Sequence, residues 1–201
     1  MEYKLYFDGA CELANPGGFA TYGFVVFRDK ELVKSENGIA CEPFSTCSTN
    51  NYAEYTAMIK GLKYCVNNGI SELSVKGDSK LIINQMNGIY DVKSQNIIPL
   101  FQKAKSLSQQ FKKISYIWIP REQNRFADRL SKDIYKNIVR KGLFKNIDTS
   151  LIKIPFGKYK GKTFEWLVAN QKSYLFWLLE QSWISPDWKS IVAVVLEKSN
   201  L

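Results

Sequence analysis

The 201-residue sequence contains no histidine. That excludes imidazole general-base catalysis and any histidine-ligated metal site. Its four cysteines, Cys11, Cys41, Cys47 and Cys65, form no CxxC pair, so no structural zinc site is expected and the thiols read as reduced and buried. A metal site, if present, must be built from oxygen donors, which favours Mg²⁺ or Mn²⁺. No apolar run approaches the roughly 20 residues needed to cross a bilayer. The opening MEYKLYFDGA carries no signal-peptide pattern. These absences lead to the expectation of a cytoplasmic protein with no membrane partner. There is no internal repeat, and nothing in the pattern points to a protein partner, so a monomer is expected.

What the chain does hold is positive charge, unevenly placed. Its net charge is +9, yet residues 101–162 carry 16 Lys or Arg against 4 Asp or Glu, a local +12 that leaves −3 for the remainder. A basic stretch over a third of the chain suits a polyanionic partner, nucleic acid first. A merely solvated basic face is the plain alternative.

Alternating patterning predicts strands at Tyr3–Asp8, Tyr22–Arg28 and Glu31–Ala40, the last two joined by a turn at Asp29-Lys30. A helix is expected over Tyr52–Asn67, stopping near Gly69, then a strand at Ser71–Gly77 and a short helix over Ser79–Met86 ended by Asn87-Gly88. A longer helix over Ile97–Phe111, a strand at Lys113–Ile119 and a helix over Asn124–Lys141, ended by Gly142, complete the series. This order predicts an α/β fold with a mixed five-stranded sheet, three antiparallel strands plus parallel additions made through helical crossovers.

From about Asn146 the composition changes. DTSLIKIPFGKYKGKTF is polar, basic and rich in turn residues. Short helices are expected at Thr163–Ala169, Ser173–Gln181 and Pro186–Lys198, with Thr163 and Ser173 as caps and Pro186 in a first turn. Four of the five tryptophans, Trp166, Trp177, Trp183 and Trp188, fall here, large apolar groups for a small core. The expected division is a domain at 1–142, a linker at 143–152 and a small helical accessory domain at 153–201. GKYKGKT at 157–163 imitates a phosphate-binding loop, but only three residues separate its glycines where that loop needs four, so it reads as a lysine-rich turn.

Four carboxylates occupy the ends of these predicted elements: Asp8 and Asp78 after strands, Glu54 and Asp128 early in helices. Glu54 heads an apolar stripe of Met58, Gly61, Leu62 and Cys65 at helical spacing. Locally, Asn51 reads as the N-cap of that helix and Glu54, three residues on, as its capping-box acid. Asp8 could equally be turn chemistry, Asp78 part of a cap and Asp128 a partner of the helix dipole. All four meeting at converging element ends would instead make an acidic cluster, unfavourable by itself and relieved by divalent cations.

The segments FDGAC at 7–11, STNNYAEYTA at 48–57, VKGDSKLIINQMNG at 75–88 and IPREQNRFADRLS at 119–131 resemble type 1 ribonuclease H over roughly residues 1–142. The resemblance implies that Asp8, Glu54, Asp78 and Asp128 are catalytic and bind two Mg²⁺ ions, Mn²⁺ being a substitute. It also implies an endoribonuclease that cuts the RNA strand of an RNA–DNA hybrid and leaves 5′-phosphate and 3′-hydroxyl ends. Asn50 and Asn51, with Cys11 and Asn15, would read the 2′-hydroxyl that only RNA carries. Thr49 would help hold a DNA-strand phosphate, and Arg121 a substrate or product phosphate. Departures from the family are a loop without its usual histidine, an Asn15 one residue further from Asp8 than expected, and no room between Met86 and Ile97 for a basic helical handle.

Residues 153–201 resemble the small domain behind some DnaQ-like exonucleases of the exonuclease X type, through IPFGKYKGKTFEWL and SYLFWLLEQ. There Lys158, Tyr159, Lys160 and Lys162 combine charge with a ring, a pattern suited to accessory nucleic-acid contacts. Two other functions remain open on sequence alone: a nuclease of the same fold acting on DNA or double-stranded RNA, and a non-catalytic hybrid-binding protein.

Overall fold

The structure, a computed structural model, describes residues 1–140, 148 and 152–199. The chain divides into two compact units, Met1–Ile134 and Tyr135–Leu201. The expected boundary at Gly142 and most of the expected linker 143–152 lie outside the described residues.

In the first unit the strands are β1 (Tyr3–Glu12), β2 (Phe19–Arg28), β3 (Glu31–Ile39), β4 (Glu72–Gly77) and β5 (Lys113–Trp118). The helices are α1 (Asn50–Asn67), α2 (Lys80–Met86), α3 (Ile98–Ser108) and α4 (Arg125–Arg140), which runs past Ile134. The five strands form one sheet in the order β3-β2-β1-β4-β5. The β1/β2 and β2/β3 pairs are antiparallel, and the β1/β4 and β4/β5 pairs are parallel. The predicted mixed topology is therefore the one observed. No helix among the described residues is long and apolar enough to cross a membrane.

Side chains alternate across the strands, so residues of one parity face one layer of helices. Leu5 and Phe7 of β1 join Tyr22, Phe24 and Val26 of β2 in a buried core with Tyr55, Met58, Leu62 and Cys65 of α1. The opposite parity meets α4: the Thr21 hydroxyl donates to the Ser131 carbonyl, and Asn37 donates to the Leu130 carbonyl. Covered on both faces, β2 is buried from Phe19 through Val26, which explains its nearly continuous apolar run.

Two glycines set how closely the helices approach. A Cβ on Gly9 would lie 2.3 Å from the Glu54 nitrogen, and one on Gly23 2.5 Å from the Ser131 nitrogen. Any larger residue at Gly9 would drive the start of α1 off β1.

Two local expectations need correction. The N-cap of α1 is Thr49, whose hydroxyl accepts from the Tyr52 nitrogen at 3.1 Å. Asn50 and Asn51 are therefore helical, and Glu54, five residues after the cap, lies two residues past the position that would close a capping box. Strand β1 does not stop at Asp8 but continues to Glu12. The cysteines also differ from expectation: all four are free, but only Cys65 is fully buried.

The second unit holds α5 (Phe164–Asn170), α6 (Lys172–Glu180) and α7 (Pro186–Lys198), preceded by a single antiparallel bridge between Lys153 and Thr163. Thr163 caps α5 as expected. Ser173 does not cap α6, which begins at Lys172. The core is mainly aliphatic, with Ile152, Ile154, Leu167, Leu175, Leu178, Ile191 and Val192 around Phe164 and Trp188. The expectation that tryptophans as a group build this core fails for Trp177 and Trp183, which are 44% and 54% exposed.

Candidate active site

Strand β4 pairs with β1 only over Lys4–Tyr6, against Ser74–Lys76. Continued by two residues, that parallel register sets Asp8 beside Asp78, just past the end of β4. There β1 runs on with β2 alone, Asp8 opposite Gly23. Gly9 brings the second turn of α1 against this point, and with it Glu54.

The result is a cleft of about 230 Å³ lined by Asp8, Glu54, Asp78, Cys11, Asn50, Arg121 and Lys132, together with Gly9, Ala10 and Glu12. Three of the four sequence-predicted carboxylates thus meet in one place. Asp128, by contrast, does not line the cleft: its Oδ1 accepts from Arg121 Nε at 2.9 Å and from Lys132 Nζ at 2.8 Å.

Asp8 and Asp78 are each held by a second group. The Ser131 hydroxyl donates to Asp8 Oδ2 at 2.6 Å, with Asp8 only 6% exposed. Asn124, at the start of α4, donates through its Nδ2 to Asp78 Oδ1 at 2.6 Å and to the Phe7 carbonyl at 2.9 Å, tying β4 to β1. Trp118 donates from its indole to the Asp78 carbonyl at 3.0 Å, and Lys80 lies 4.6 Å from the centre of the Trp118 ring.

Ser131, Asn124 and Lys132 were not singled out from the sequence. Their signal was present: Ser131 and Lys132 follow Asp128 by three and four residues, the spacing that puts them on its helix face. Asn124 precedes Asp128 by four on the same grounds.

The electrostatics follow from burial and like charge. Burial pushes the Asp8 carboxyl up to about 6; the Ser131 hydroxyl opposes this, while Asp78 and Asp128 add to it. Burial pushes Glu54 further, to about 8, with Asp8 adding to the rise and the Ser79 hydroxyl opposing it. Burial would also raise Asp128, but the hydrogen bonds from Lys132 and Arg121 outweigh it and hold that carboxyl below its ordinary value. The Cys11 thiol, pushed up to about 11 by burial, is neutral at physiological pH.

These donors fit a hard divalent cation. The cleft offers carboxylate, amide and carbonyl oxygens, its single thiol stays protonated, and burial raises two of its carboxyls, so a bound cation would favour their ionised forms. Among the described residues no group of three or more such side chains stands together as a preformed cage. Asp8, Glu54 and Asp78 would therefore converge on an ion by side-chain rotation. Asp128 would have to exchange its contacts with Arg121 and Lys132. A divalent ion held there would supply Lewis-acid activation of water. The buried Asn124 Oδ1 has no hydrogen-bond partner, a spare acceptor behind Asp78.

The residues expected to read nucleic acid divide between two clefts. Asn50 and Cys11 line the carboxylate cleft, the Cys11 thiol donating to the carbonyls of Ala14 at 3.0 Å and Ser48 at 3.2 Å. Asn15, Thr49 and Asn51 line a neighbouring cleft of about 190 Å³ with Ser94, Asn96 and Ile97. Asn15 is drawn toward the helix start, its Oδ1 accepting from the Asn50 nitrogen at 3.3 Å. Lys158, Tyr159, Lys160 and Lys162 belong to the other unit.

A sequence profile for the reverse transcriptase-like family matches residues 7–134. The bifunctional protein Rv2228c of Mycobacterium tuberculosis is 42% identical over 134 residues, 66% of this chain and 35% of that protein. Ribonuclease HI of Halobacterium salinarum is 34% identical over 130 residues, 64% of this chain and 61% of that enzyme. The chain thus spans between about a third and three fifths of the length of these relatives. The solved N-terminal ribonuclease H domain of Rv2228c has a TM-score of 0.62 at 32% identity, covering 70% of this chain and 97% of that one. An LC11 ribonuclease H1, solved in complex with RNA/DNA hybrid, has a TM-score of 0.59 at 28% identity, covering 68% and 99%. The C-terminal unit lies outside the family match. With its sheet order, its carboxylate cleft and these matches, the chain belongs to the reverse transcriptase-like family and carries a ribonuclease H domain over residues 7–134.

Proposed function

We propose that the protein is a divalent-metal-dependent endoribonuclease that cuts the RNA strand of RNA–DNA hybrids, leaving 5′-phosphate and 3′-hydroxyl ends. The observation that carries this reading is the convergence of Asp8, Glu54 and Asp78 on one cleft in a ribonuclease H fold, with Asn50 on the same wall. Asp8, Glu54, Asp78 and Asp128 are the metal ligands in this reading, with Mg²⁺ the natural ion and Mn²⁺ a substitute.

Asn50 presents an amide to the strand being cut, where the 2′-hydroxyl is both donor and acceptor. The adjoining cleft at Thr49 and Asn51 suits the backbone of the other strand. Arg121 and Lys132 place two cations at the mouth, next to Asp128, where a phosphate would enter. The C-terminal unit adds affinity rather than chemistry.

The test is cleavage of a labelled hybrid beside single-stranded RNA, duplex DNA and duplex RNA, each with Mg²⁺ and with chelator. Metal-dependent cutting confined to the RNA of the hybrid is expected, and Asp78→Asn should abolish it while hybrid is still bound. Full activity in that variant, or preference for another duplex, would overturn the assignment.

A further inference from the structure

In the second unit, a connected row of aromatic rings reaches the surface at Trp177 and Trp183. Tyr174 and Trp177 of α6 stack with centroids 5.2 Å apart and planes 23° from parallel. Trp183 meets Trp177 at 6.3 Å, and Tyr159 meets Tyr174 at 4.8 Å and Trp166 at 5.8 Å. The row thus runs from the loop through α6 to the turn before α7, with both Trp177 and Trp183 about half exposed. Leaving such area in water costs free energy that burial elsewhere would recover, and contiguous exposed rings are characteristic of binding surfaces.

The same surface is rimmed with cations. Lys158, Lys160 and Lys162 are all exposed. Lys158 Nζ lies 5.2 Å from the Tyr159 centroid and Lys162 Nζ 4.6 Å from the Trp166 centroid, so the ammonium groups stand among the rings. Gly157 and Gly161 hold this loop with positive φ, at +71° and +86°. Rings in series with cations beside them offer faces to unstacked bases and charge to the phosphates between those bases. A duplex keeps its bases stacked inside and could use only the lysines.

We propose that this face is a binding platform for single-stranded nucleic acid. The occupant is a flexible strand of DNA or RNA, taken by stacking on Trp177 and Trp183 and by phosphate contacts from the three lysines. The proposal deepens the nuclease reading, but its test needs no cleavage, so the two can fail separately.

The experiment uses the full chain in chelator and measures anisotropy of fluorescent dT20, rU20 and a blunt 20-base-pair hybrid over a series of salt concentrations. Stacking contributes about 1–3 kcal/mol per base, so Trp177→Ala with Trp183→Ala should weaken dT20 and rU20 about tenfold or more. The blunt hybrid should bind as before and, with Mg²⁺, be cut as before. Replacing both tryptophans by phenylalanine should restore most of the affinity, which a misfolded unit could not do. Removing Lys158, Lys160 and Lys162 together should lower the slope of log affinity against log salt by about 2 for a single strand. Unchanged dT20 and rU20 binding in the tryptophan-to-alanine variant would overturn the proposal. So would an equal loss on blunt hybrid, or a phenylalanine variant no better than the alanine one.

Discussion

Replacing Asp8 by asparagine should stabilise the metal-free protein while destroying its activity. Asp8 is almost wholly buried and its carboxyl is raised from 3.8 to about 6. A folded state that holds a proton more tightly than the unfolded chain is favoured at low pH. The contribution is fully present below pH 4 and is lost as pH rises through about 6. At about 1.4 kcal/mol for each pH unit of difference, the ionised carboxylate costs roughly 3 kcal/mol at pH 8. Asparagine keeps the shape, can still accept from the Ser131 hydroxyl and carries no charge. Urea unfolding followed by tryptophan fluorescence, in chelator, should show Asp8→Asn more stable than the parent by up to about 3 kcal/mol at pH 8, the gain falling below about 1 kcal/mol near pH 4. Added Mg²⁺ should stabilise the parent and leave the variant nearly unmoved. A variant no more stable than the parent at pH 8, or one whose gain is the same at both pH values, would refute the reasoning.

Two further outcomes follow from the same geometry. Arg121→Ala removes a cation that occupies Asp128 Oδ1, so half-maximal hybrid cleavage should need several-fold less Mg²⁺, read from a metal titration; a higher requirement would contradict the competition. Gly9→Ala places a methyl 2.3 Å from the Glu54 nitrogen, which should lower stability by about 1–3 kcal/mol, the usual cost of overpacking, and reduce cleavage further than Mg²⁺ can restore. Calorimetry with a metal titration checks both parts.

Much of this was legible in the sequence because period carries topology. Alternation along β1, β2 and β3, then the rhythm of strand and helix, led to the observed mixed sheet of three antiparallel strands with parallel additions, and the stripe Met58, Gly61, Leu62 and Cys65 marks the buried face of α1 as observed. What the pattern misassigned were choices decided by neighbours distant in sequence. Thr49, Asn50 and Asn51 are all competent caps, and Thr49 takes the position. β1 outlasts its alternation because β2 still pairs with it as far as Glu12. Asn124 and Ser131 look like ordinary polar residues of a helix start until the fold brings Phe7, Asp8 and Asp78 to them across more than 40 residues. In the second unit, tryptophan content indicated apolar mass but not which rings face water, since that depends on whether aliphatic residues alone can fill the space.

The difference in length between β1 and β4 has a consequence of its own. Ten residues lie beside six, and the missing length of the shorter strand is the notch in which the acids meet. Such a notch needs no dedicated cavity in the interior. Inserting two residues to prolong β4 would fill it while leaving the hydrophobic layers nearly untouched, and trimming β1 would dissolve its far wall. A lineage could gain or lose the notch by small insertions in the loop that follows β4.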